Sequence, residues 1–212
     1  MKAIIVSGAP QAWIDFNELR QPSKSLIIGV DRGAIILHDH GIIPTVSIGD
    51  FDSISEIELQ KLMNSGTNLI KLNTHKDETD TEVAILHAMT LSATEIQVYG
   101  ALGGRLDHTL ANIRLLLKFV KKGIKIQLVD KTNLVRILSP GHYEFEPLKA
   151  SYLSFFALEE AVENLTLTGV KYPLKDYLLH QDDIRCISNE LMATTFTISF
   201  SDGFLLMIES QD

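Results

Sequence analysis

The first 130 residues alternate between two hydrophobic periods. Short apolar runs occur as AIIV (3–6), SLIIGV (25–30), TVSIG (45–49), NLIKL (68–72), EIQVYG (95–100) and KIQLV (125–129). Runs this continuous predict parallel strands buried on both faces. Helical patterns lie between them. Leu106, Leu110, Ile113, Leu117 and Val120 recur at spacings of four, three, four and three, which predicts an apolar face on one helix. A second helical pattern runs from Thr79 to about Leu91, and a shorter one from Ala34 to His40 with Gly41 as its stop. Strand–helix alternation of this kind predicts an α/β domain over 1–130, with a parallel sheet covered by helices on both faces.

Beyond Asp130 the pattern changes. YEFE, ASYLSFFAL, ENLTLTG and TTFTISFSDGFLLMIES are short, β-rich and separated by turn residues. Phe196, Ile198 and Phe200 alternate with Thr197 and Ser199, the signature of a half-buried strand. Asp202-Gly203 then reads as a tight hairpin turn. A small all-β domain is expected over 131–212.

Composition narrows the function classes. At 212 residues, 45% hydrophobic and 22% charged, the chain has the make-up of an ordinary globular protein. A formal charge of −8 argues against a broad nucleic-acid or anionic-membrane surface. The single cysteine, Cys186, excludes an intrachain disulfide and fits a reducing compartment. The start MKAIIVSGAPQAW is too short in apolar residues for a signal segment, and no run approaches the roughly 18 apolar residues that span a bilayer. A soluble, cytoplasmic protein is expected.

Polar groups gather where the apolar runs end. Ser7-Gly8 follows the first run, Asp31-Arg32-Gly33 the second, and Asp50-Phe51-Asp52-Ser53 the third. Lys76-Asp77-Glu78-Thr79-Asp80 comes soon after the fourth and Gly103-Gly104-Arg105 after the fifth. Ligands of open α/β sheets bind at the carboxyl ends of the strands. Each group also has a purely local reading. Asp50 and Asp52 suit Asx-type turns, Thr79 to Glu82 suits a capping box with Asp80 complementing the helix dipole, and Gly103-Gly104 suits a turn. Arg105, His108 and Asn112 share a helix face that solvent alone could explain. Convergence of five connections on one rim favours a site. Clustered carboxylates are hard oxygen ligands suited to Mg²⁺, which would make them complementary to a polyphosphate. Glycine amides and the Arg105 fork would hold further phosphate oxygens. GALGGR lacks the GxGxxG spacing, and no Walker A sequence occurs.

The ordered set GVDRGA, GDFDS, KDETD and GALGGRLDH, with GVKYPL (169–174) and SNE (188–190) in the β-rich tail, resembles the thiamin pyrophosphokinase (thiamin diphosphokinase) family along essentially the whole chain. The resemblance implies a Rossmann-like nucleotide-binding domain followed by a small β-sandwich, working as a homodimer. It implies transfer of a diphosphoryl group from ATP to the hydroxyl of thiamin, with release of AMP. Carried onto these positions, it gives Asp50, Asp52 and Asp80 to Mg²⁺ and the phosphates, and Asp31, Asp77, Thr79, Arg105 and Asp107 to the ATP side. Ser188 and Asn189 would reach thiamin across the dimer interface. Arg185-Cys186 stand before SNE where the family more often has a small residue such as Gly, and Tyr172 is a candidate for stacking on thiamin. Catalysis of this kind rests on positioning and charge stabilisation; Asp50, Asp80 or solvent could take the proton, or no base is needed.

Two other readings compete. Asp50-Phe51-Asp52-Ser53 also resembles the DxDx(T/S) nucleophile motif of haloacid-dehalogenase-type phosphatases, but that motif follows the first strand of its core, whereas two strands precede it here. A nucleotide- or thiamin-binding sensor without turnover would have little use for the intact acid set.

Overall fold

The computed structural model describes residues 1–20, 25–74, 76–146 and 151–212. The chain forms two compact units. One comprises Met1–Leu115 with Gly123–Lys131, the other Leu116–Lys122 with Thr132–Asp212.

In the first unit all six apolar runs are strands: β1 (Lys2–Val6), β2 (Leu26–Val30), β3 (Val46–Gly49), β4 (Asn68–Lys71), β5 (Glu95–Tyr99) and β6 (Lys125–Val129). Every pairing among them is parallel, in the order β4-β3-β2-β1-β5-β6. Residues Ala3–Val6 of β1 and all of β3 are buried, as a sheet covered on both faces requires. The helices are α1 (Phe16–Leu19), α2 (Arg32–Asp39), α3 (Glu56–Asn64), α4 (Asp80–Thr90) and α5 (Leu106–Val120), the last of which runs on from Leu116 as part of the second unit. The chain steps outward from β1 to β4 and then returns to lay β5 beside β1. Because parallel crossovers are right-handed, that reversal carries α4 to the sheet face opposite α2 and α3. It also makes the β1/β5 boundary the switch point of the sheet, the place where ligands of open α/β sheets bind.

Glycine permits the tightest packing here. A Cβ on Gly33 would stand 2.0 Å from the Val6 carbonyl oxygen, so the first turn of α2 lies directly on the end of β1.

Helix α3 is not evident from apolar spacing. Ile57 and Met63 are exposed and Leu62 is its one fully buried side chain, so its apolar stripe is thin. A capping box fixes its start instead: Ser55 accepts from the Glu58 amide while Glu58 accepts from the Ser55 amide. Helix α5 has the expected span, but its expected apolar face is not the buried one. Leu106 and Leu110 are 71% and 52% exposed, whereas Leu116 and Phe119 are buried and Asn112 donates from Nδ2 to the Ala101 carbonyl. The buried face lies about a third of a turn round from the leucine stripe.

The second unit holds two antiparallel sheets. Strands β7 (Asn133–Leu138), β9 (Tyr152–Ala157) and β13 (Leu205–Ser210) pair in the order β7-β13-β9. Strands β8 (Gly141–Phe145), β10 (Ala161–Thr168), β11 (Leu174–His180) and β12 (Phe196–Phe200) pair in the order β11-β10-β12-β8. Phe155, Leu205 and Met207 of the first sheet share one buried core with Leu165, Leu167, Phe196 and Ile198 of the second, the arrangement of a sandwich. Phe196, Ile198 and Phe200 all face inward, as alternation predicts. Asp202-Gly203 is not a hairpin turn, because β12 and β13 belong to different sheets. It is a crossing between sheets in which Gly203, at φ +87°, passes so close to Ala161 that a Cβ would stand 2.2 Å from its carbonyl oxygen. Ala150, expected at the head of ASYLSFFAL, lies outside the described residues. No helix among the described residues is long and apolar enough to cross a membrane.

Gly33→Ala tests the close approach of α2 to β1. It is expected to cost about 3 kcal/mol, since backbone must move. Gly41→Ala, where a positive φ meets open space, costs about 1 kcal/mol. Thermal denaturation of the two variants should show Gly33→Ala with much the larger fall in Tm.

Candidate active site

The carboxyl ends of β2 and β3 are held together by a backbone arrangement that depends on Phe51. Its ring is buried beside Ala34, Ile35 and Leu62, and its backbone is left-handed at φ +61°. Burying Phe51 turns its two neighbours, Asp50 and Asp52, away from the core. The Asp52 amide donates to Asp50 Oδ1 at 3.0 Å, so the Asx turn expected from local chemistry is present and coexists with the site.

Asp31 sits at the start of α2 with φ +46° and ψ −120°, a conformation L-residues rarely adopt. Its amide donates to the Ile48 carbonyl, and its Oδ1 accepts from the Phe51 amide at 3.2 Å. A Cβ on Gly49 would stand 1.8 Å from that same Oδ1. Gly49 is therefore glycine because the Asp31 carboxylate occupies the space a side chain would fill.

Asp80 opens α4, whose N-cap Thr79 accepts from the Glu82 amide through its hydroxyl. Ser7, at the end of β1, meets Thr81 hydroxyl to hydroxyl at 3.0 Å and ties this helix start to the sheet. The result is a group of three carboxylates, Asp31, Asp50 and Asp80, with oxygen atoms within 4.8 Å of one another. Lys76 approaches this group, its Nζ 2.6 Å from Asp80 Oδ1.

The electrostatics follow from that crowding. Burial, then the neighbouring Asp80 and Asp50, push the Asp31 carboxyl up to about 7, against the Phe51 amide that favours its charged form. Asp52 lies outside the group and is exposed; the charge of Asp50 raises its carboxyl too. A half-buried acid raised this far wants a cation. Three hard oxygen donors at this spacing fit a six-coordinate divalent ion such as Mg²⁺, whose bonds are about 2.1 Å long.

The remaining expected residues fall elsewhere. Asp77 and Thr79 are exposed in the turn before α4. Arg105 follows Gly103 and Gly104, at φ +81° and +71°, and forks onto Asp107, with Nε to Oδ1 at 3.2 Å and Nη2 to Oδ2 at 2.6 Å. Both are well exposed, and the pairing holds the Asp107 carboxyl below its ordinary range. In the second unit Ser188 has φ +56° and its amide donates to Ser154 Oγ. Asn189 is buried. Its Oδ1 accepts from the Tyr172 and Glu190 amides and its Nδ2 donates to the Tyr172 carbonyl, so its side chain latches the Tyr172 segment. Cys186 is buried in the sandwich core, its carbonyl accepting from the Phe155 amide. Burial pushes its thiol up to about 11, out of reach of thiolate chemistry near neutral pH.

The sequence sets Asp31 on the ATP side and Asp50, Asp52 and Asp80 together, whereas the structure groups Asp31 with Asp50 and Asp80; Lys76, Gly49 and Phe51 carry no role of their own in that expectation. Gly49 directly before Asp50 was the available signal, since glycine at the end of a buried strand marks a close approach.

An open parallel sheet with an acidic cluster on its carboxyl rim, joined to a β-sandwich, defines a class of α/β enzymes that handle phosphates. Comparison with known proteins makes this specific. Residues 18–128 match the catalytic domain of thiamin pyrophosphokinase and residues 142–205 its vitamin B1 binding domain. A thiamine pyrophosphokinase of Bacillus subtilis (strain 168) is 42% identical over 214 residues, covering all of both chains. The crystal structure of thiamine pyrophosphokinase from Bacillus subtilis superposes with a TM-score of 0.94 at 40% identity, again over all of both chains. Thiamin pyrophosphokinase from Candida albicans, at 18% identity and covering 99% of this chain and 89% of its own, shares the fold with a TM-score of 0.82. The chain belongs to the thiamin pyrophosphokinase family.

The raised Asp31 carboxyl gives a pH dependence. An acid whose folded pKa lies above its unfolded value, here about 7 against 3.8, stabilises the fold fully below the unfolded value and loses that contribution as pH rises through the folded one. In EDTA the protein is expected to melt at lower temperature at pH 8 than at pH 5.5, and Asp31→Asn should narrow the difference. Melting curves across that range, with Asp52→Asn as a control for the exposed acid, check this.

Proposed function

We propose that the protein transfers the diphosphoryl group of ATP to the hydroxyl of thiamin, giving thiamin diphosphate and AMP. The observation that carries this reading is the Asp31–Asp50–Asp80 group at the carboxyl rim in a chain of the thiamin pyrophosphokinase family.

The thiamin hydroxyl oxygen attacks the β-phosphorus and forms the new O–P bond. The bond from that phosphorus to the bridging oxygen of AMP breaks, and AMP leaves with the electron pair. Little covalent chemistry is asked of the protein; alignment and charge stabilisation carry the step. Asp31, Asp50 and Asp80 would hold Mg²⁺, with Asp52 exposed beside them. Bound there, Mg²⁺ would supply neutralisation of phosphate charge that the acids alone would repel. On the ATP side, Asp77 and Thr79 lie in the turn that presents Asp80, and Gly103-Gly104 present Arg105, the exposed fork that takes phosphate oxygens. Asp107, now paired with Arg105, holds that fork in orientation. On the thiamin side, Ser188 reaches the substrate, and Asn189 serves by fixing Tyr172, whose exposed ring offers a stacking face. The hydroxyl proton passes to a carboxylate of the rim or to solvent.

The protein works as a cytoplasmic homodimer in this reading. Exposed Leu106 and Leu110 on α5 and exposed Ile184 and Met192 in the second unit supply apolar surface that a second copy would cover.

The purified protein with ATP, Mg²⁺ and thiamin is expected to form AMP and thiamin diphosphate in equal amounts. EDTA should abolish this, and Asp80→Asn should lower kcat by about a hundredfold or more. ADP or free phosphate without thiamin diphosphate would overturn the reading. Sedimentation equilibrium should return twice the chain mass of 23.6 kDa; a monomer at assay concentrations would remove the homodimer.

A further inference from the structure

Lys76 is placed unlike an ordinary surface lysine. Its side chain is 17% exposed and that of its partner Asp80 22%, where lysines normally keep the ammonium in water. The four-residue spacing to Asp80 is not that of a helix pair, since α4 begins only at Asp80 and Thr79 caps it. Lys76 is delivered by the turn after β4, and its Nζ also donates to the Asn73 carbonyl at 3.2 Å. The charges it answers are those of the whole group: Asp80 first, then Asp50 and Asp31. One ammonium thus stands where three carboxylates converge.

We propose that Lys76 is the resident cation of this group, holding Asp80 in the metal-free protein and moving from Asp80 to the phosphate oxygens when metal and nucleotide bind together. The proposal rests on the reading that the group takes a divalent metal with a nucleoside triphosphate. Its physical basis is exclusion. The ammonium sits 2.6 Å from Asp80 Oδ1, and a metal ion on the same oxygen would bring two cations into contact. Divalent metal alone must therefore displace Lys76 with nothing to receive it. Metal with nucleotide displaces it too, but supplies anionic oxygens in the same place. Lysine suits the exchange because it is a compact charge on a flexible stem. Metal and nucleotide then favour each other's binding, and the coupling runs through one side chain.

The test uses Mn²⁺ as the probe, with the free ion counted by electron paramagnetic resonance on the full-length protein. Without nucleotide, Lys76→Met is expected to bind Mn²⁺ about tenfold more tightly than the unmodified protein, because a competing charge has gone. Nucleotide affinity is read separately, by isothermal titration calorimetry with Mn²⁺ and α,β-methylene ATP on the full-length protein, where the same variant should bind about tenfold more weakly. Lys76→Gln should shift both affinities in the same directions and provides the reading if the methionine variant folds poorly; Lys76→Arg should keep the weak metal-only binding. Unchanged or weaker Mn²⁺ binding in the folded Met and Gln variants, or unchanged nucleotide affinity, overturns the proposal while leaving the metal–nucleotide reading intact. Failure of the unmodified protein to bind Mn²⁺ even with α,β-methylene ATP overturns that reading, and the proposal with it.

Discussion

The Asp31 carboxylate lies over the bare α-carbon of Gly49 and accepts from the amide of Phe51, whose ring is buried between α2 and α3. Much of the rim's geometry depends on this contact. It draws the ends of β2 and β3 together and sets Asp31 beside Asp50. It also holds two residues in left-handed backbone, Asp31 at φ +46° and Phe51 at φ +61°. Each such conformation costs on the order of 1–2 kcal/mol. They persist because a buried aromatic ring and a buried strand leave the backbone no alternative. The strain is located where acids must converge, which is where a fold left to hydrophobic packing alone would never bring them.

Bringing three carboxylates within 4.8 Å of one another opposes folding, and the surroundings offset only part of the cost. The Phe51 amide faces Asp31. The positive end of α4 lies under Asp80, and Lys76 pairs with it. With the Asp52 amide on Asp50, these are two backbone hydrogen bonds, a partial charge and a single ammonium, and the Asp31 carboxyl still sits near 7. The electrostatic demand of the fold is thus for positive charge at this one place. Three carboxylates so arranged leave negative charge that the described residues around them only partly answer.

How much was legible in the sequence follows from which interactions are local. The six strands were readable because burial on both faces leaves consecutive apolar residues, as in AIIV and TVSIG. Helix α3 was not, because Ile57 and Met63 face solvent and its start is a hydrogen-bonded capping box rather than a stripe. The leucine stripe of α5 was real as a pattern, but periodicity says only that a face exists. Which face is buried was decided by Leu116, Phe119 and the Asn112 bond to Ala101. Asp202-Gly203 misled for a related reason: turn chemistry is local, while the sheet to which the next strand belongs is not. At the rim, the gathering of polar groups was legible because parallel strands point their carboxyl ends one way. That Asp31 rather than Asp52 stands with Asp50 and Asp80 was not, since it depends on the backbone of Asp31 and the burial of Phe51.

Asn189 carries the same lesson into the second unit. As a polar residue of SNE it resembles a ligand contact, yet it is buried and its amide group is spent on the Tyr172 segment and on Glu190. Its own backbone pairs both ways with Leu153 of β9. A buried amide that gave up these bonds to a ligand would strand the Tyr172 amide and carbonyl, at about 1–3 kcal/mol for each unsatisfied group. A weak substrate contact would not repay that. The Asn189 side chain is therefore committed to the fold, where it fixes the Tyr172 segment. At the carboxyl rim Gly49 acts in the same indirect way: it offers no side chain, and the space that leaves is the one the Asp31 carboxylate fills.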